Sequence, residues 1–455
     1  VNPESKEVWT KSVLTLPTSL REQMSSTNMQ FTQSDDELII TGGYGYSASA
    51  GDHVTYAFLT RIDLKGLTQS IINGTSDDPL DSQYFEQVSN PRFAVTGGRL
   101  LSMDEMYYLV GGHRFMGRYN PMGPDHGPGF EQDYTYEARR FTIVEASELA
   151  VEFIDPLHDE MHMRRRDFNV VPFFQDGKKG IIAYSGVFQP TSDVPWLYPV
   201  KITEEGITAD ESFTQYFNHY HSASLPIYDQ ESDVMHTLFF GGIAQFYMDN
   251  GMLVQDNDIP FVQTIADVQL SKEGFSEHKL SAEMPDYLGA GSEFVFIDGV
   301  PKFSDEVFDG DAMGDDKLAV GYIYGGIRSS KANIFWENSG TQSEASSTVY
   351  KVYLTRTQTV ATEETPSNYS KLLLYPNPAS NILKMSVNLQ QPTPIDVEIR
   401  NAEGKMIHQS QIAASETTSG FNFFKLQEAK IPYGMYMYTL TFGNETVTRK
   451  VVWSE

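Results

Sequence analysis

One apolar strand that ends in a glycine pair returns five times along the chain, and it limits the possible folds more than any other feature. The clearest copy runs Met106, Tyr107, Tyr108, Leu109, Val110 into Gly111 and Gly112. The other copies close on Gly42 and Gly43, on Ser185 and Gly186, on Gly241 and Gly242, and on Gly325 and Gly326. A unit that recurs in this way marks a repeat architecture, in which each copy buries its apolar surface against the next.

Each copy is followed by an outgoing strand: 56–64, 136–143, 196–202, 264–270 and 349–354. Several alternate apolar and polar residues with the period of a half-buried strand. Stretches such as 84–88 and 151–154, each running up to a proline, supply an outer strand. The unit therefore reads as four antiparallel strands, one blade of a β-propeller, and the chain is expected to be all-β. The uneven spacing of the glycine pairs falls in the loops after the second strand, 44–54, 113–135 and 327–347. Five units and a spare strand at 8–14 predict a five-bladed ring. The N-terminal strand would complete the blade that begins near Ser292 and so remove an open edge.

The glycine pairs and the aromatics of the outgoing strands resemble the kelch family of propellers. The resemblance covers residues 8–357, and it implies a ring whose ligand lies at the mouth of a central channel. A polar stretch, 358–370, reads as a linker. The domains are thus expected at 1–357 and 371–455.

The last stretch reads as a small β-sandwich of about seven short strands, with turns at Asn401–Gly404 and Pro432–Gly434. It carries Tyr375-Pro376-Asn377-Pro378-Ala379, an Asn-x-x-Gly turn ending at Gly404, Gly434-Met435-Tyr436-Met437-Tyr438, and a basic final strand with Arg449 and Lys450. This set closely resembles the type A C-terminal sorting domain of the type IX secretion system of Bacteroidetes. The resemblance implies that Pro376, Asn377, Pro378, Gly404, Gly434, Tyr436, Arg449 and Lys450 belong to the sorting signal. It implies that residues 371–455 are recognised by the translocon and an outer-membrane shuttle. The protein would then be secreted or displayed on the cell surface, after cleavage of a signal peptide that the present start, Val1-Asn2-Pro3, lacks.

Composition narrows the chemistry. The chain has no cysteine, which removes disulfides, thiol nucleophiles and cysteine-ligated metals. Its formal charge is −28, all of it carried before residue 371, which argues against nucleic acid as a partner. No apolar run is long enough to span a membrane.

The candidate site follows from the repeats. Lining up the first strands of the units places Asn28, Arg92, Arg166, His221 and Gly291 at equivalent positions, and His113, Arg114 and Arg328 just after glycine pairs. Arg92, His113, Arg114, Arg166, His221 and Arg328 are therefore the expected ligand-binding residues at the channel mouth. Arginine forks would hold a carboxylate-bearing sugar or an acidic peptide. Ion pairs between repeats are the plain alternative. Asp309, Asp311 and Asp315 could offer oxygens to calcium, although the EF-hand order is missing; no cofactor is predicted. A phosphate loop, a dinucleotide fingerprint and the sialidase Asp-box are all missing. The expected function is a secreted glycan- or protein-binding protein. A polysaccharide hydrolase or lyase and a structural surface component are the alternatives.

Overall fold

The computed structural model describes residues 1–119, 130–144, 147–249, 252–314, 316–334, 341–355, 369–375, 377–380, 382–401, 404–427, 431–443 and 445–454. The chain divides into two compact units, Val1–Arg356 and Thr357–Glu455. The chain is all-β; among the described residues the α-helices are the short Thr18–Met24 and Leu64–Asn73.

Among the described residues of the first unit, five sheets in succession each carry one glycine-pair strand between antiparallel neighbours. Each starts from a first strand and a hairpin into the glycine-pair strand. The five first strands are Thr27–Ser34, Arg99–Met103, Asn169–Gln175, Ala223–Asp229 and Ser292–Phe296, and each of the first four touches the next. Neighbouring sheets share apolar cores. Ile39 and Leu59 of the first pack with Leu100 and Phe141 of the second. Val110 and Ala138 of the second pack with Val170 and Ile181 of the third. Ile182 and Tyr184 then meet Phe239 and Val268, and Leu225 and Phe240 meet Val320 and Ile323. Each such side chain contributes about 1.5–3 kcal/mol when withdrawn from water.

The glycine pair has a specific mechanical task. Both residues take positive φ in every copy: 64° and 94° at Gly42 and Gly43, 59° and 80° at Gly111 and Gly112, and 47° and 89° at Ser185 and Gly186. This left-handed turn points the second N–H out of its own sheet. It donates to the segment leading into the next sheet: Gly43 to Val95 O, Gly112 to Arg165 O, Gly186 to His219 O and Gly242 to Leu288 O. A Cβ on Gly42 would lie 1.9 Å from Val95 O, so the approach requires glycine. Ser185 holds the same conformation as a buried serine whose Oγ donates to Trp196 O at 2.5 Å.

The seam between the fifth and first sheets is made differently. The segment 8–14, expected as a closing strand, is extended coil running into a 3-10 turn at Val13–Thr15. The fifth sheet accordingly has three strands, Ser292–Phe296, Leu318–Gly325 and Tyr350–Leu354. The chain start reaches it through one side chain, Glu4, which accepts from Tyr322 and Lys351. Residues 16–24 instead cover the first sheet, where Leu16 and Leu20 pack with Leu80. Buried Gln23 binds Gly42 O, Phe58 O and Thr60 there. A proline-initiated helix with a buried glutamine won over the β-strand expected just upstream, because it satisfies backbone and side-chain groups of the first sheet together.

A hairpin inserted in the fifth repeat, Lys302–Ser304 and Val307–Asp309, closes one end of the central convergence. Its second strand pairs in parallel with the end of Ala223–Asp229. Phe303, Val307 and Phe308 enter the neighbouring cores. Thr32 and Ser34 of the first sheet contact Glu306 and Asp305 on its tip.

The second unit pairs Tyr369–Tyr375, Leu383–Leu389 and Gly420–Gln427 in one sheet, and Met406–Ile412, Ile395–Asn401, Gly434–Phe442 and Glu445–Trp453 in another. Their buried residues, among them Val387, Ile399, Tyr438, Phe442 and Trp453, form one core.

Candidate functional site

The first strands of the five sheets begin at a common centre, opposite the inserted hairpin. A relay of backbone hydrogen bonds joins their starting residues. Gly97 N–H donates to Asn28 O at 3.4 Å, Asp167 to Gly97 O at 2.7 Å, His221 to Asp167 O at 2.9 Å and Gly291 to His221 O at 3.0 Å. The equivalent positions are thus Asn28, Gly97, Asp167, His221 and Gly291. The expected register was right at Asn28, His221 and Gly291, one residue early at Arg166, and five residues early at Arg92. Asn90, Pro91 and Arg92 form a capped 3-10 turn upstream of the strand, and that turn consumes the extra residues.

Three consecutive arginines just before the third sheet do three different things. Arg165 is fully buried. It donates to His162 O, Ser185 O and Tyr198 O, and packs on the Trp196 and Tyr198 rings. Burial lowers its affinity for the proton to a pKa of about 9. It is a structural pin. Arg164 lies over the Tyr134 ring, 4.2 Å from its centre, and donates to Phe188 O. Arg166 points to the centre, 9% exposed. Its Nε donates to Tyr134 Oη at 3.2 Å, its Nη1 pairs with Asp167 at 3.1 Å, and its guanidinium faces the Phe188 ring. Burial disfavours the Arg166 cation, but Asp167 and Tyr134 outweigh it and hold the group charged. Among the described residues no partner meets its Nη2.

His113 sits against this cluster. It is 4% exposed, bridges Thr96, and receives Gln132 at 2.6 Å. Burial, with the Arg166 and Arg164 cations, pushes its pKa down to about 3, so it is neutral. Tyr220, near Arg166 and Asp167, has its phenol held protonated by burial.

Below the Arg166 cluster lies a second set, of which the repeat alignment had picked out His221 alone. Arg99, His221 and Glu293, from three different repeats, meet at hydrogen-bond distance. Arg99 Nη1 is 2.9 Å from Glu293 Oε1 and 2.7 Å from His221 Nε2, and His221 Nε2 is 2.9 Å from Glu293 Oε1. Burial would raise the Glu293 carboxyl, but Arg99 and His221 outweigh it and hold it down at about 2. Glu306, on the inserted hairpin, has the opposite environment. Burial pushes it up to about 7, and Arg99 and the Thr32 hydroxyl only partly offset that. Two carboxyl groups at one centre are therefore held in different protonation states. The sequence signal was faint. Arg99 and Glu293 sit at matching places in their strands, but Glu306 reaches the site only because its hairpin folds back.

The other expected residues lie elsewhere. Arg92 stacks on Phe153 at 4.8 Å, beside a cavity of about 190 Å3 that includes Glu137 and Arg139, on the outermost strand of the second sheet. Arg114 is exposed on the hairpin His113–Met116 and Glu131–Tyr134, where it pairs with Asp133 at 3.2 Å and Glu131 at 3.7 Å. Arg328 lies over the junction of the fourth and fifth sheets, between Asp286 and Glu344. Asp309 and Asp311 sit at the opposite end of the unit, on the inserted hairpin. Their carboxylates accept backbone N–H groups of Asp311, Gln230 and Glu231. Asp315 lies outside the described residues, and among the described residues no group of three acidic or histidine side chains could hold a metal ion.

In the second unit Asn377 clamps the last strand, accepting from Val452 N and donating to Lys450 O. Tyr436 is buried and donates to Pro432 O. Gly404 ends the turn after Asn401 at φ 81°, and Gly434 pairs with Trp453. Pro378, Arg449 and Lys450 are exposed, and Pro376 lies outside the described residues.

Residues 373–454 match the family described as the secretion system C-terminal sorting domain. The protein is therefore a type IX secretion substrate of the Bacteroidetes kind, exported to the cell surface or secreted, and its tail interacts with that system. No curated protein matches the chain. Among solved structures, one titled "Structure of YjhT" is similar at TM-score 0.38 and 10% identity, over 72% of this chain and 84% of that one. An exo-1,5-alpha-L-arabinanase from a bovine ruminal metagenomic library is similar at TM-score 0.30 and 9% identity, over 72% and 92%. PorZ, a surface component of the type IX secretion system of Porphyromonas gingivalis, is similar at TM-score 0.15 and 11% identity, over 94% and 59%. None is close enough to carry a residue-by-residue correspondence. No helix among the described residues is long and apolar enough to cross a membrane.

Proposed function

We propose that the first unit is a kelch-like five-bladed propeller, followed by a linker and a β-sandwich sorting domain, and that its central channel binds an anionic ligand. The ligand is a carboxylate-bearing glycan or an acidic peptide. The hairpin Lys302–Asp309 meets the far ends of the first strands, at Tyr228 and Thr32, which leaves the Arg166 end for the ligand. One observation carries the reading: Arg166 is a nine-tenths-buried guanidinium with an unpartnered Nη2, framed by Tyr134, Phe188 and Asp167. A largely buried guanidinium that keeps one donor open to solvent is a site for a charged acceptor. Arg164 supplies a second cation beside it.

The hydrolase or lyase alternative is favoured by a different observation. Glu293 and Glu306 share the channel floor with His221 and are held apart in protonation. An ionised and a neutral carboxyl side by side is the arrangement that acid–base chemistry uses.

The test is calorimetric titration of the full chain with oligogalacturonate and with a polyglutamate peptide, alongside an assay for released reducing ends. Binding of either probe should weaken about a hundredfold in Arg166→Ala, as loss of a buried charge contact predicts. Equal binding by wild type and variant would remove the anion reading. New reducing ends that vanish in Glu306→Gln would replace the binding reading by the enzymatic one.

A further inference from the structure

A cavity lies over the junction of the fourth and fifth sheets, and nothing assigned so far uses it. Its volume is about 470 Å3, within the range of small-molecule sites. Gln263, Asp286, Tyr287, Arg328, Gln342 and Glu344 line it. We propose that this cavity is a separate saccharide subsite, and that it takes a neutral glycosyl unit.

The scaffold under the cavity is rigid. Tyr287 and Leu288 pair with Ser329 and Arg328, and Arg328 continues the ladder to Glu344. Gly289 N–H and Ile327 N–H tie the same two segments together through Ile327 O and Ala290 O. Side chains on such a ladder keep their positions without a ligand, which lowers the ordering cost of binding.

Asp286, Arg328 and Gln263 are oriented but do not saturate one another. Tyr350 donates its hydroxyl to Asp286 Oδ2 at 2.9 Å, which fixes that carboxylate. Arg328 stands 3.5 Å from Asp286 and 3.5 Å from Glu344, longer than the contacts of a closed fork. Gln263 anchors its amide N–H on Met284 O at 2.8 Å, leaving the amide oxygen free to accept. Vicinal hydroxyls both donate and accept, so they can bridge a carboxylate to a guanidinium at this spacing.

Charge selects against anionic ligands. One arginine stands between two carboxylates, so the cavity is net negative and repels anions. That sets it apart from the Arg166 centre, and the proposal stands or falls independently of the anion reading there.

The experiment is calorimetry of the full chain with xylohexaose, cellohexaose and mannohexaose in turn. Saturable binding of at least one is expected. It should weaken at least about tenfold in Arg328→Ala and in Asp286→Asn, with unchanged melting temperature, and be untouched by Arg166→Ala. The asparagine variant keeps an acceptor for Tyr350, so its fold is preserved if the alanine variant fails to fold. No binding of any of the three probes, or undiminished binding in Asp286→Asn, overturns the proposal.

Discussion

Glu293 and Glu306 are both carboxyl groups at one buried centre, yet their neighbours drive them to opposite states. Glu293 has Arg99 and His221, and sits at about 2; Glu306 has one hydroxyl and a more distant arginine, and sits at about 7. The unfolded chain would ionise either near ~4.3. Linkage then gives the two groups opposite pH effects. Stability from Glu293 is complete above the unfolded value and is lost as pH falls towards 2. Stability from the protonated Glu306 is complete below the unfolded value and is lost as pH rises through 7. Thermal melts between pH 5 and pH 8 should therefore fall with pH in the wild type, and fall less in Glu306→Gln. Equal slopes would mean that Glu306 is solvated. Ionised Glu306 also adds negative charge beneath Arg166, so anionic probes should bind more weakly at pH 8 than at pH 6, and Glu306→Gln should flatten that difference.

At the scale of elements, the glycine-pair strand works as a clasp. Its second N–H crosses to the next sheet, and the left-handed turn that aims it tolerates a side chain only where there is room. Gly42→Ala would drive a Cβ into Val95 O and force a positive φ on alanine. A loss of about 2 kcal/mol or more is expected, read as a clear drop in melting temperature. Ser185 already bears that strain and recovers it through the Oγ bond to Trp196 O. Ser185→Gly should consequently shift stability by less than about 1 kcal/mol. The chain start is the other instructive element. Residues 1–12 add little beyond Glu4, so their deletion should lower the melting temperature only slightly. Gln23→Ala should cost more, because it strands Gly42 O and Phe58 O inside the first sheet. A large loss on deleting 1–12 with none in Gln23→Ala would reverse this ranking.

Over the whole molecule, the sorting tail and the first unit are built on separate cores. The tail has its own buried cluster around Tyr438, Phe442 and Trp453, and the first unit has its own seams. Removing residues 373–454 should abolish delivery to the cell surface, seen by fractionation, and leave the melting transition of the first unit in place. A first unit that no longer folds would show that the tail also supports it.

Period and punctuation were legible in the chain by themselves. Alternation marked the strands, the glycine pairs marked the strand that recurs, and the motifs from Asn377 to Lys450 pointed to the sorting tail. These are local signals, written in residues a few positions apart. The centre was legible only in part. His113, Arg166 and His221 stand out because they lie at fixed offsets from repeat landmarks. Arg92 stands out for the same reason and lies elsewhere, since one 3-10 turn shifted the register by five residues. Arg99 and Glu293 hold matching places in repeats far apart in sequence, but Glu306 belongs to an inserted hairpin that no period predicts. Which arginine of 164–166 becomes core pin, stacked cation or free donor depends on side chains contributed by other repeats. Tertiary structure decided these, because burial and the charge of a spatial neighbour, rather than the residue's own identity, set what an ionisable group can do.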